Sequence, residues 1–510
     1  MRRFSILLAC SALLISACAG PAVLMGGESV RFPEPPPQTV NLLVLGGDDL
    51  TPINATVVAR SESISTDDTG SAELVWEEEP IEIDVSAPGF HATSTTVSER
   101  PLEGPVEIRL EPIVLTGSVT TSDGRALPGA SVSLGGDHEV TTDSDGEFTL
   151  FRAVPGEIEI ERPAWQPTTV AWDGSTDDLT VALDPIMIRA LRVAGDFSGA
   201  GDLQKWEELL ELADNTGINA FVVDTQDEGG HVYHDTEVEL AYEIGAVIPR
   251  YDAEKVIADM EAHGLYKITR IVTFQSDQLA RARPEIAAIN TSTGLPWTNN
   301  KDLAWLDPTD RNSWDYPLAL AEEACRLGFD EIQFDYIRFP SDGQIELLSF
   351  DELGAADYYG EAAQQKRVET IAAFLEEAHN RLNPMGCAVA ADIFAITLES
   401  TSDEGIGQSP SVFSEHVDVL SPMIYTYTYG PGWKGWSNPN DHASELVAAA
   451  LDSGIPRLDG QALYRPWIQR AFLEDSEILD LQDIAETRDL GWMLWSAGTI
   501  FDAGHLPPPE

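Results

Sequence analysis

The feature that most constrains the fold is the alternation of apolar runs and amphipathic segments after residue 186. Short apolar runs predict strands, and longer segments with apolar residues every three to four positions predict helices. We expect strands near 189–194, 219–224, 267–273, 330–336, 387–393, 417–424, 458–463 and 491–495. We expect helices near 202–216, 252–263, 313–327, 362–382, 441–453 and 476–488. Eight strands that alternate with helices or long loops predict a (β/α)8 TIM barrel over residues 186–505.

A doubly wound open sheet is the alternative for this region. Only 15 residues follow the eighth predicted strand, which leaves little room for a last helix of a barrel. In the open sheet, however, a glycine-rich phosphate loop commonly follows the first strand, and the sequence has no such motif there. We therefore favour the barrel.

Two all-β units precede the barrel, over residues 41–112 and 113–185. Short alternating runs separated by turn residues predict their strands, at 41–45, 55–59, 72–76, 81–86, 106–110, 114–120, 130–134, 147–150, 157–161 and 180–183. Similar sequences at 109–112 and 182–185 indicate a tandem repeat with a period of 73 residues. Two copies are too few for a solenoid, so we expect two small β-sandwich units.

The second unit has a recognisable pattern, with Gly117-Ser118-Val119, PGASV at 128–132, TDSDGEF at 142–148 and Val154-Pro155-Gly156. It resembles the carboxypeptidase-regulatory-like β-sandwich, a common spacer in surface proteins. The DSDG segment at 143–146 lacks the remaining ligands and the closing Glu of a calcium-binding loop, so it predicts a tight β-turn.

The N-terminus has the pattern of a targeting segment. Arg2 and Arg3 precede a short apolar stretch at 6–15, and ISAC at 15–18 resembles a bacterial lipoprotein cleavage box. This resemblance implies a signal peptide at 1–18 and a lipid on Cys18, with an ordinary cleaved signal as the alternative. Residues 19–40, rich in Pro and Gly, predict a linker. We expect an extracytoplasmic protein that is lipid-anchored to the cell-envelope membrane.

The charge balance narrows the range of partners. The chain has 86 acidic and 30 basic residues and a net charge of −56, which argues against nucleic acid and anionic polymers as ligands. Cys325 and Cys387 are the cysteines left after Cys10 and Cys18, and we expect two buried free thiols, with one bridge as the alternative. No cluster of metal-type Cys and His is present, so we expect no metal and no cofactor. We expect a monomer.

The most informative stretch is GFDEIQFDYIRFPSDG at 328–343. Asp335 lies inside its apolar run, where a carboxylate is costly unless it is paired or opens onto a cleft. Asp392 ends the fifth predicted strand in a similar way, and Asp224 ends the second, with Asp227 just beyond it. Carboxylates at the C-terminal ends of barrel strands are typical of catalytic sites.

A pair of carboxylates suits the cleavage of glycosidic bonds. Adjacent strands bring Asp335 and Asp392 to the short spacing of a retaining pair. We predict Asp335 as the nucleophile, kept ionised by Arg338, and Asp392 as the general acid and base in an apolar setting. The reverse assignment is open, and Asp227 or Glu228 is an alternative to either residue.

Aromatic residues near the same strand ends predict contacts to sugar rings, because aromatic faces pack on apolar sugar faces. Tyr425, Tyr427 and Tyr429 alternate with Thr, so an extended chain would point their three rings to one side. Trp436 belongs to the same cluster. We predict that the substrate is bound by Asp224, Asp227, Trp305, Asp307, Tyr336, Arg338, Tyr425, Tyr427, Trp433 and Trp495.

Residues 188–500 resemble the putative glycosyl hydrolase domain of bacterial surface proteins and lipoproteins, a TIM-barrel family. The matching stretches are NAFVVD at 219–224, ARPE at 282–285, WLDP at 305–308, the block at 328–343, and SPMIY at 421–425. Gln226 stands where that family usually has Lys.

The resemblance implies a glycosidase-like barrel, so we expect a cell-surface glycoside hydrolase that acts on an extracellular or cell-envelope polysaccharide. A non-catalytic carbohydrate-binding surface lipoprotein is the alternative. A metal-dependent deacetylase would need clustered His and Asp ligands, which the sequence does not show.

Overall fold

The computed structural model describes residues 37–77, 80–135, 138–353, 360–458 and 462–509. The predicted signal peptide and Cys18 lie outside these ranges. The chain divides into two compact units, Met1–Pro112 and Ile113–Glu510. Within the described ranges, none of the helices has the length and apolar character needed to span a bilayer.

The first unit is a sandwich of two antiparallel-rich sheets. Its strands are Thr39–Gly46, Thr56–Ala59, Glu62–Ser65, Ser71–Val75, Ile81–Ser86, Thr93–Val97 and Val106–Leu110. The first, fourth and seventh strands form one sheet, and the other four form the second. Alternate residues such as Leu42, Val57 and Ile83 are fully buried between the sheets, as the period of two predicts.

Residues 113–185 repeat this topology strand for strand. The strands are Val114–Thr121, Ser131–Ser133, Glu139–Thr141, Glu147–Phe151, Gly156–Glu161, Thr168–Trp172 and Asp178–Leu183. The turns repeat as well: Asp67 accepts the N–H groups of Thr69 and Ser71, and Asp143 accepts those of Asp145 and Glu147. The segment at 143–146 is therefore a side-chain-closed turn.

Four of these fourteen strands are not predicted by the sequence analysis, namely Glu62–Ser65, Thr93–Val97, Glu139–Thr141 and Thr168–Trp172. All four lie at sheet edges, where one partner strand and exposed polar side chains suffice. Their sequences therefore lack the apolar alternation that marks the central strands.

Eight parallel strands close into a barrel in the second unit, so the predicted fold class is confirmed. They are Arg189–Val193, Ala220–Gln226, Tyr266–Val272, Glu331–Asp335, Ala388–Phe394, Val419–Ile424, a seventh in two pieces, Leu463–Tyr464 and Trp467–Gln469, and Trp492–Trp495. We number them one to eight. The sheet runs in sequence order and strand eight pairs with strand one.

Helices surround the barrel and bury one face each against it. The longer ones are Leu203–Asp214, Ala253–Ala262, Asp315–Leu327, Glu361–Leu382, Ala443–Gly454 and Asp475–Glu486, and the shorter ones are Glu239–Glu243, Asp277–Ala282, Ile396–Glu399 and Pro410–Phe413. Asp202 and Asp252 cap the first two long helices through their side chains. After strand eight, the described chain forms the short 3-10 helix Ala503–His505.

Of the expected strand seven, 458–463, residues 459–461 lie outside the described ranges, and the strand that the structure shows begins only at Leu463. Residues Ile455–Arg457 continue the preceding helix as a 3-10 turn, and the strand proper includes Trp467–Gln469. Pro466 interrupts the strand because it has no N–H for the ladder, although its carbonyl still accepts the N–H of Met493.

Cys325 and Cys387 form a disulfide, with their Cα atoms 6.0 Å apart. Our expectation of two free thiols is therefore wrong. Cys325 lies near the end of the helix Asp315–Leu327, and Cys387 directly precedes strand five. The helix and the strand are neighbours in the barrel, a proximity that is not evident for two cysteines 62 positions apart in the sequence.

The second sandwich covers the N-terminal ends of barrel strands five and six. Ala388 and Val419, the first residues of these strands, belong to one apolar cluster with sandwich residues such as Val132 and Trp165. Arg162 of the sandwich forms a buried ion pair of 3.4 Å with Asp418 of the barrel. The opposite, C-terminal end of the barrel carries the candidate site.

Candidate active site

Strands four and five bring Asp335 and Asp392 side by side. Their register pairs Phe334 with Ala391, so the next residue on each strand, Asp335 and Asp392, are neighbours. Adjacent strands lie about 4.8 Å apart, and side chains at matching positions point to the same face. Both carboxyl groups lie in the barrel interior near its C-terminal mouth, and they are 4 % and 1 % exposed.

Arg270 of strand three holds Asp335. Its Nε and Nη2 donate to Oδ2 of Asp335 over 2.8 and 2.6 Å. The N–H of Tyr336 donates to Oδ1 over 2.6 Å. Tyr336 has a φ of 50°, a left-handed conformation that is rare outside Gly and that turns the chain directly after the strand. Both oxygens of Asp335 are therefore fixed by donors from the protein.

Arg270 is the centre of a larger charge network. It also pairs with Asp224 over 3.4 Å and with Glu228 over 2.7 Å. Burial opposes its charge, but the carboxylates of Glu228, Asp335 and Asp224 outweigh this effect, so its pKa lies well above the ordinary value. Arg192 of strand one pairs with Asp224 as well. Three carboxylates thus share two guanidinium groups.

The pKa values of the two other acids in this network, Asp224 and Glu228, are shifted in opposite directions. Burial raises the pKa of Asp224, although Arg192 and Arg270 act against this. Burial acts on Glu228 in the same direction, but the charge and hydrogen bond of Arg270 outweigh it and lower its pKa. The side chain of Glu228 is 35 % exposed, more than that of any other carboxylate paired with Arg270.

Asp392 has the opposite environment to Asp335. Burial, followed by the nearby charge of Asp335, raises its pKa well above the ordinary value. The indole Nε1 of Trp467 donates to its Oδ1 over 2.8 Å. An additional negative charge here would add to three carboxylates that share two cations, so the neutral acid is favoured.

The aromatic residues line one side of the mouth, although not in the expected way. Thr426–Thr428 is a 3-10 turn, so the predicted extended chain with three rings on one side is wrong. Tyr425 and Tyr427 stack with their rings 5.8 Å apart, whereas Tyr429 packs on Trp433 at 5.1 Å. Burial and the nearby carboxyl groups of Asp392 and Asp335 raise the pKa of Tyr425.

A cavity of 320 Å³ opens beside Tyr425 and is lined by apolar and aromatic side chains. Phe394, which ends strand five, lines this cavity together with Tyr429 and Trp433. Trp495 borders the mouth from strand eight, with the guanidinium groups of Arg192 and Arg270 over its ring at 4.8 and 5.1 Å. This arrangement places aromatic surface next to the two acids.

Several predicted binding residues have other contacts. Trp305 is fully buried and cannot stack on a sugar, so that prediction is wrong. The guanidinium of Arg338 lies between the rings of Trp305, Tyr336 and Phe394. The place beside Asp335 that we expected for Arg338 is taken by Arg270.

The side chains of Asp307 and Asp227 accept hydrogen bonds from nearby loop residues. Asp307 is buried and accepts hydrogen bonds from Thr309 and from the N–H of Asp351. Asp227 accepts the N–H groups of Gly229 and His231 and the hydroxyl of Tyr233. These contacts shape the loops around the mouth rather than present the carboxylates to a ligand. Trp436 stacks on His442.

Sequence reasoning misses three members of the site: Arg192, Arg270 and Trp467. Arg192 and Arg270 could have been identified from the sequence, because an Arg inside an apolar strand needs a buried partner. Trp467 could not, since it follows Pro466 in the strand whose position we misjudged.

Asp475, Asp502 and His505 are the group in the described ranges whose spacing could hold a metal ion. Nε2 of His505 accepts the N–H of Asp502. Its proton therefore sits on Nδ1, which faces the two carboxylates at 3.5 and 3.4 Å. Burial lowers the pKa of His505, which agrees with a neutral ring whose Nδ1–H faces the two carboxylates and offers no lone pair to a metal.

Comparisons with known protein families match the barrel and the second sandwich separately. A family model described as Putative glycosyl hydrolase domain matches residues 196–501, and one described as Carboxypeptidase regulatory-like domain matches 114–184. No curated protein matches the chain.

Three solved structures illustrate the structural similarity. A hypothetical protein from Ruminiclostridium thermocellum ATCC 27405 is 34% identical over 40% of this chain and 96% of its own, with a TM-score of 0.35. The PgaB (BpsB) glycoside hydrolase domain from Bordetella bronchiseptica is 12% identical over 61% of this chain and 95% of its own, with a TM-score of 0.46. The spore cortex-lytic enzyme SleL from Bacillus megaterium QM B1551 is 12% identical over 67% of this chain and 75% of its own, with a TM-score of 0.37.

The first family model covers more than half of the chain and includes every barrel strand except the first. It supports a carbohydrate-active function for the barrel. The resemblances to these two families are thereby confirmed. The chain belongs to the family described as Putative glycosyl hydrolase domain, with a carboxypeptidase regulatory-like domain directly before its barrel.

Proposed function

We propose that the barrel is a glycoside hydrolase that cleaves the O-glycosidic bonds of an extracellular or cell-envelope polysaccharide. One observation carries this proposal: two neighbouring strand ends hold two carboxyl groups in opposite environments. Asp335 is paired with Arg270, whereas burial raises the pKa of Asp392. A carboxylate that can attack, beside a carboxyl group that can give up a proton, is what glycosidic cleavage requires.

The roles follow from these environments. The carboxylate of Asp335 attacks the anomeric carbon while Asp392 gives its proton to the leaving oxygen, which forms a glycosyl ester and a free alcohol. Asp392, now ionised, takes a proton from water, whose oxygen displaces Asp335 and restores both residues. The neighbouring positions on adjacent strands suit the carboxyl spacing of about 5 Å in retaining enzymes.

The surroundings assist both steps. The N–H of Trp467 occupies Oδ1 of Asp392, which leaves Oδ2 as the oxygen that carries the transferable proton. Arg270 orients Oδ2 of Asp335, and Oδ1 bonds to the N–H of Tyr336. Trp495, which is partly exposed, offers ring surface for the sugar at the cleavage point. Glu228, the more exposed partner of Arg270, is the alternative nucleophile.

A carbohydrate-binding protein without turnover is the second candidate. The low exposure of Asp335 and Asp392 favours it, because a reacting sugar must reach both groups. The two functions differ in one measurement, the appearance of new reducing ends.

We also propose an extracytoplasmic, lipid-anchored location, as a monomer without a metal or cofactor. The cleavage box ending at Cys18 supports the anchor. The disulfide between Cys325 and Cys387 supports an oxidising compartment, since such bonds are rare in the cytoplasm.

The experiment is a reducing-end assay on a panel of neutral polysaccharides and oligosaccharides. We expect cleavage by the wild type and a loss of about 10²- to 10⁴-fold in kcat for Asp335→Asn and for Asp392→Asn. Asp143→Asn is the matched control, because the Asn oxygen can still close the turn at that position and the second sandwich packs on the N-terminal ends of the barrel strands. Binding of a glycan by the wild type without any cleavage would favour the second candidate.

A further inference from the structure

Phe472 follows strand seven at the mouth of the barrel, and both its exposure and its backbone conformation are unfavourable for the stability of the fold. Its side chain is 75 % exposed, so its ring gains little from burial. Its φ of 66° lies in the left-handed region, which a bulky side chain rarely adopts. Strained conformations that persist without a gain in packing are typical of functional sites.

The ring of Phe472 is not isolated. It meets Tyr427, which is 42 % exposed, edge to face at 5.6 Å. Tyr427 in turn stacks on Tyr425, and Tyr425 lies 6.2 Å from Trp495. A continuous line of aromatic rings therefore runs from the exposed rim of the barrel to the catalytic mouth.

One buried side chain fixes both rim aromatics. Gln469, the last residue of strand seven, is fully buried. Its Oε1 accepts the N–H of Tyr427 over 3.3 Å and the hydroxyl of Thr426 over 3.2 Å. Its Nε2 donates to the carbonyl of Ala471 over 2.8 Å, directly before Phe472. The loops after strands six and seven are thus held as one platform.

We infer that Tyr427 and Phe472, here called the rim platform, form a sugar-stacking subsite for an uncharged glycan chain of several units; this inference rests on the proposed function. Exposed aromatic rings held rigidly in place suit the apolar faces of sugar rings. The platform lies beyond Tyr425, so a ligand that covers both the platform and the acids must be longer than one sugar. The carboxylates of Asp335 and Glu228 at the mouth, and the net charge of −56, disfavour anionic glycans.

The test is affinity gel electrophoresis of the full chain in gels that contain soluble starch, hydroxyethyl cellulose, arabinoxylan or glycol chitin, with alginate as the anionic comparison. All variants carry Asp335→Asn, so the polymer stays intact. We expect retention by at least one neutral polymer, and about 3- to 10-fold weaker retention for Phe472→Ala. Phe151→Ala is the matched control, because Phe151 is an exposed Phe on the second sandwich and should leave retention unchanged.

Phe472→Gly separates binding from stability. Gly adopts a φ of 66° without strain, so we expect an unchanged or higher Tm together with the same loss of retention. A clear fall in Tm would show that the ring serves the fold and would overturn the inference. Retention that does not depend on Phe472, retention by alginate alone, or no retention in any gel would also overturn it. Retention that depends on Phe472, combined with no cleavage by the wild type, would support the rim platform and refute the hydrolase.

Discussion

Asp392→Asn tests the central element of the proposed mechanism, the neutral state of the buried acid. The amide is close in shape to a protonated carboxyl group: its oxygen can accept the N–H of Trp467, as Oδ1 does in the native protein. The substitution therefore creates no cavity and leaves no buried charge. What it removes is the ability to gain or lose a proton.

The effect on stability has a definite sign. Burial raises the pKa of Asp392 in the folded protein, whereas an aspartic acid in the unfolded chain titrates at about 3.9. Above about pH 4, the folded wild type therefore binds one more proton at this position than the unfolded chain does. Its free energy of unfolding falls by about 1.4 kcal/mol per pH unit from this group, until the pH reaches the pKa of Asp392 in the folded state. Asn has no such dependence.

Urea unfolding of both proteins, followed by Trp fluorescence at pH 5 and pH 6, measures this difference. We expect the variant to gain stability relative to the wild type as the pH rises from 5 to 6, by up to about 1.4 kcal/mol. Other titrating groups contribute equally to both proteins and cancel. In the same pH range, kcat of the variant should be lower by about 10²- to 10⁴-fold, because no proton reaches the leaving group.

Asp335→Asn is the comparison. It removes one of the three acids that pair with Arg270, so we expect a loss of stability at both pH values instead of a gain that grows with pH. If the stability difference for Asp392→Asn is the same at pH 5 and pH 6, Asp392 is already ionised in the folded protein. An ionised Asp392 cannot donate the proton, and the assignment of the general acid would be refuted.

Four further predictions concern the rest of the chain. Arg270→Met should lower the free energy of unfolding by about 3–5 kcal/mol, because it leaves Asp335 without its buried partner; an unchanged urea midpoint would contradict this. Cys325→Ser should cost up to about 4 kcal/mol from the lost closure of a 62-residue loop, and dithiothreitol should lower the Tm of the wild type but not of the variant. Cys18→Ser should abolish lipidation, and a mature N-terminus without an acyl chain in wild-type mass spectra would refute the anchor. Limited proteolysis should release a fragment that begins near Ile113 rather than Ile186, because the second sandwich shares an apolar cluster with the barrel; preferred cutting near 186 would contradict this.

The strands and helices of the barrel could be predicted because each carries its own pattern of apolar residues. The placement of Asp335 beside Asp392 also follows from two strand ends that close on the same mouth. The partner of Asp335 could not be predicted, because Arg270 lies 65 residues earlier and reaches it only through the register of strands three and four. Arg338, three residues away in sequence, was the apparent choice.

The burial of Trp305 also could not be predicted from the sequence. Its position in a loop near a strand end suggested exposure, whereas the structure packs Arg338 and Tyr336 on its ring. The turn at Thr426–Thr428 changed the direction of Tyr429 for a similar reason: local sequence does not decide between an extended chain and a turn when the contacts that fix it come from Gln469.

The pairing of Arg270 with three acids has a consequence for how such a site can change through evolution. Asp224, Glu228 and Asp335 come from two different strand ends and depend on the same guanidinium. Loss of Arg270 leaves these three carboxylates with Arg192 as their remaining partner, which is costly to a folded protein. Substitution of Arg270 alone should therefore be removed by selection, and its replacement should be inherited together with changes at the acids. Among descendants of a common ancestor, positions 224, 228, 270 and 335 should be kept together or replaced together, even where the loops around them diverge.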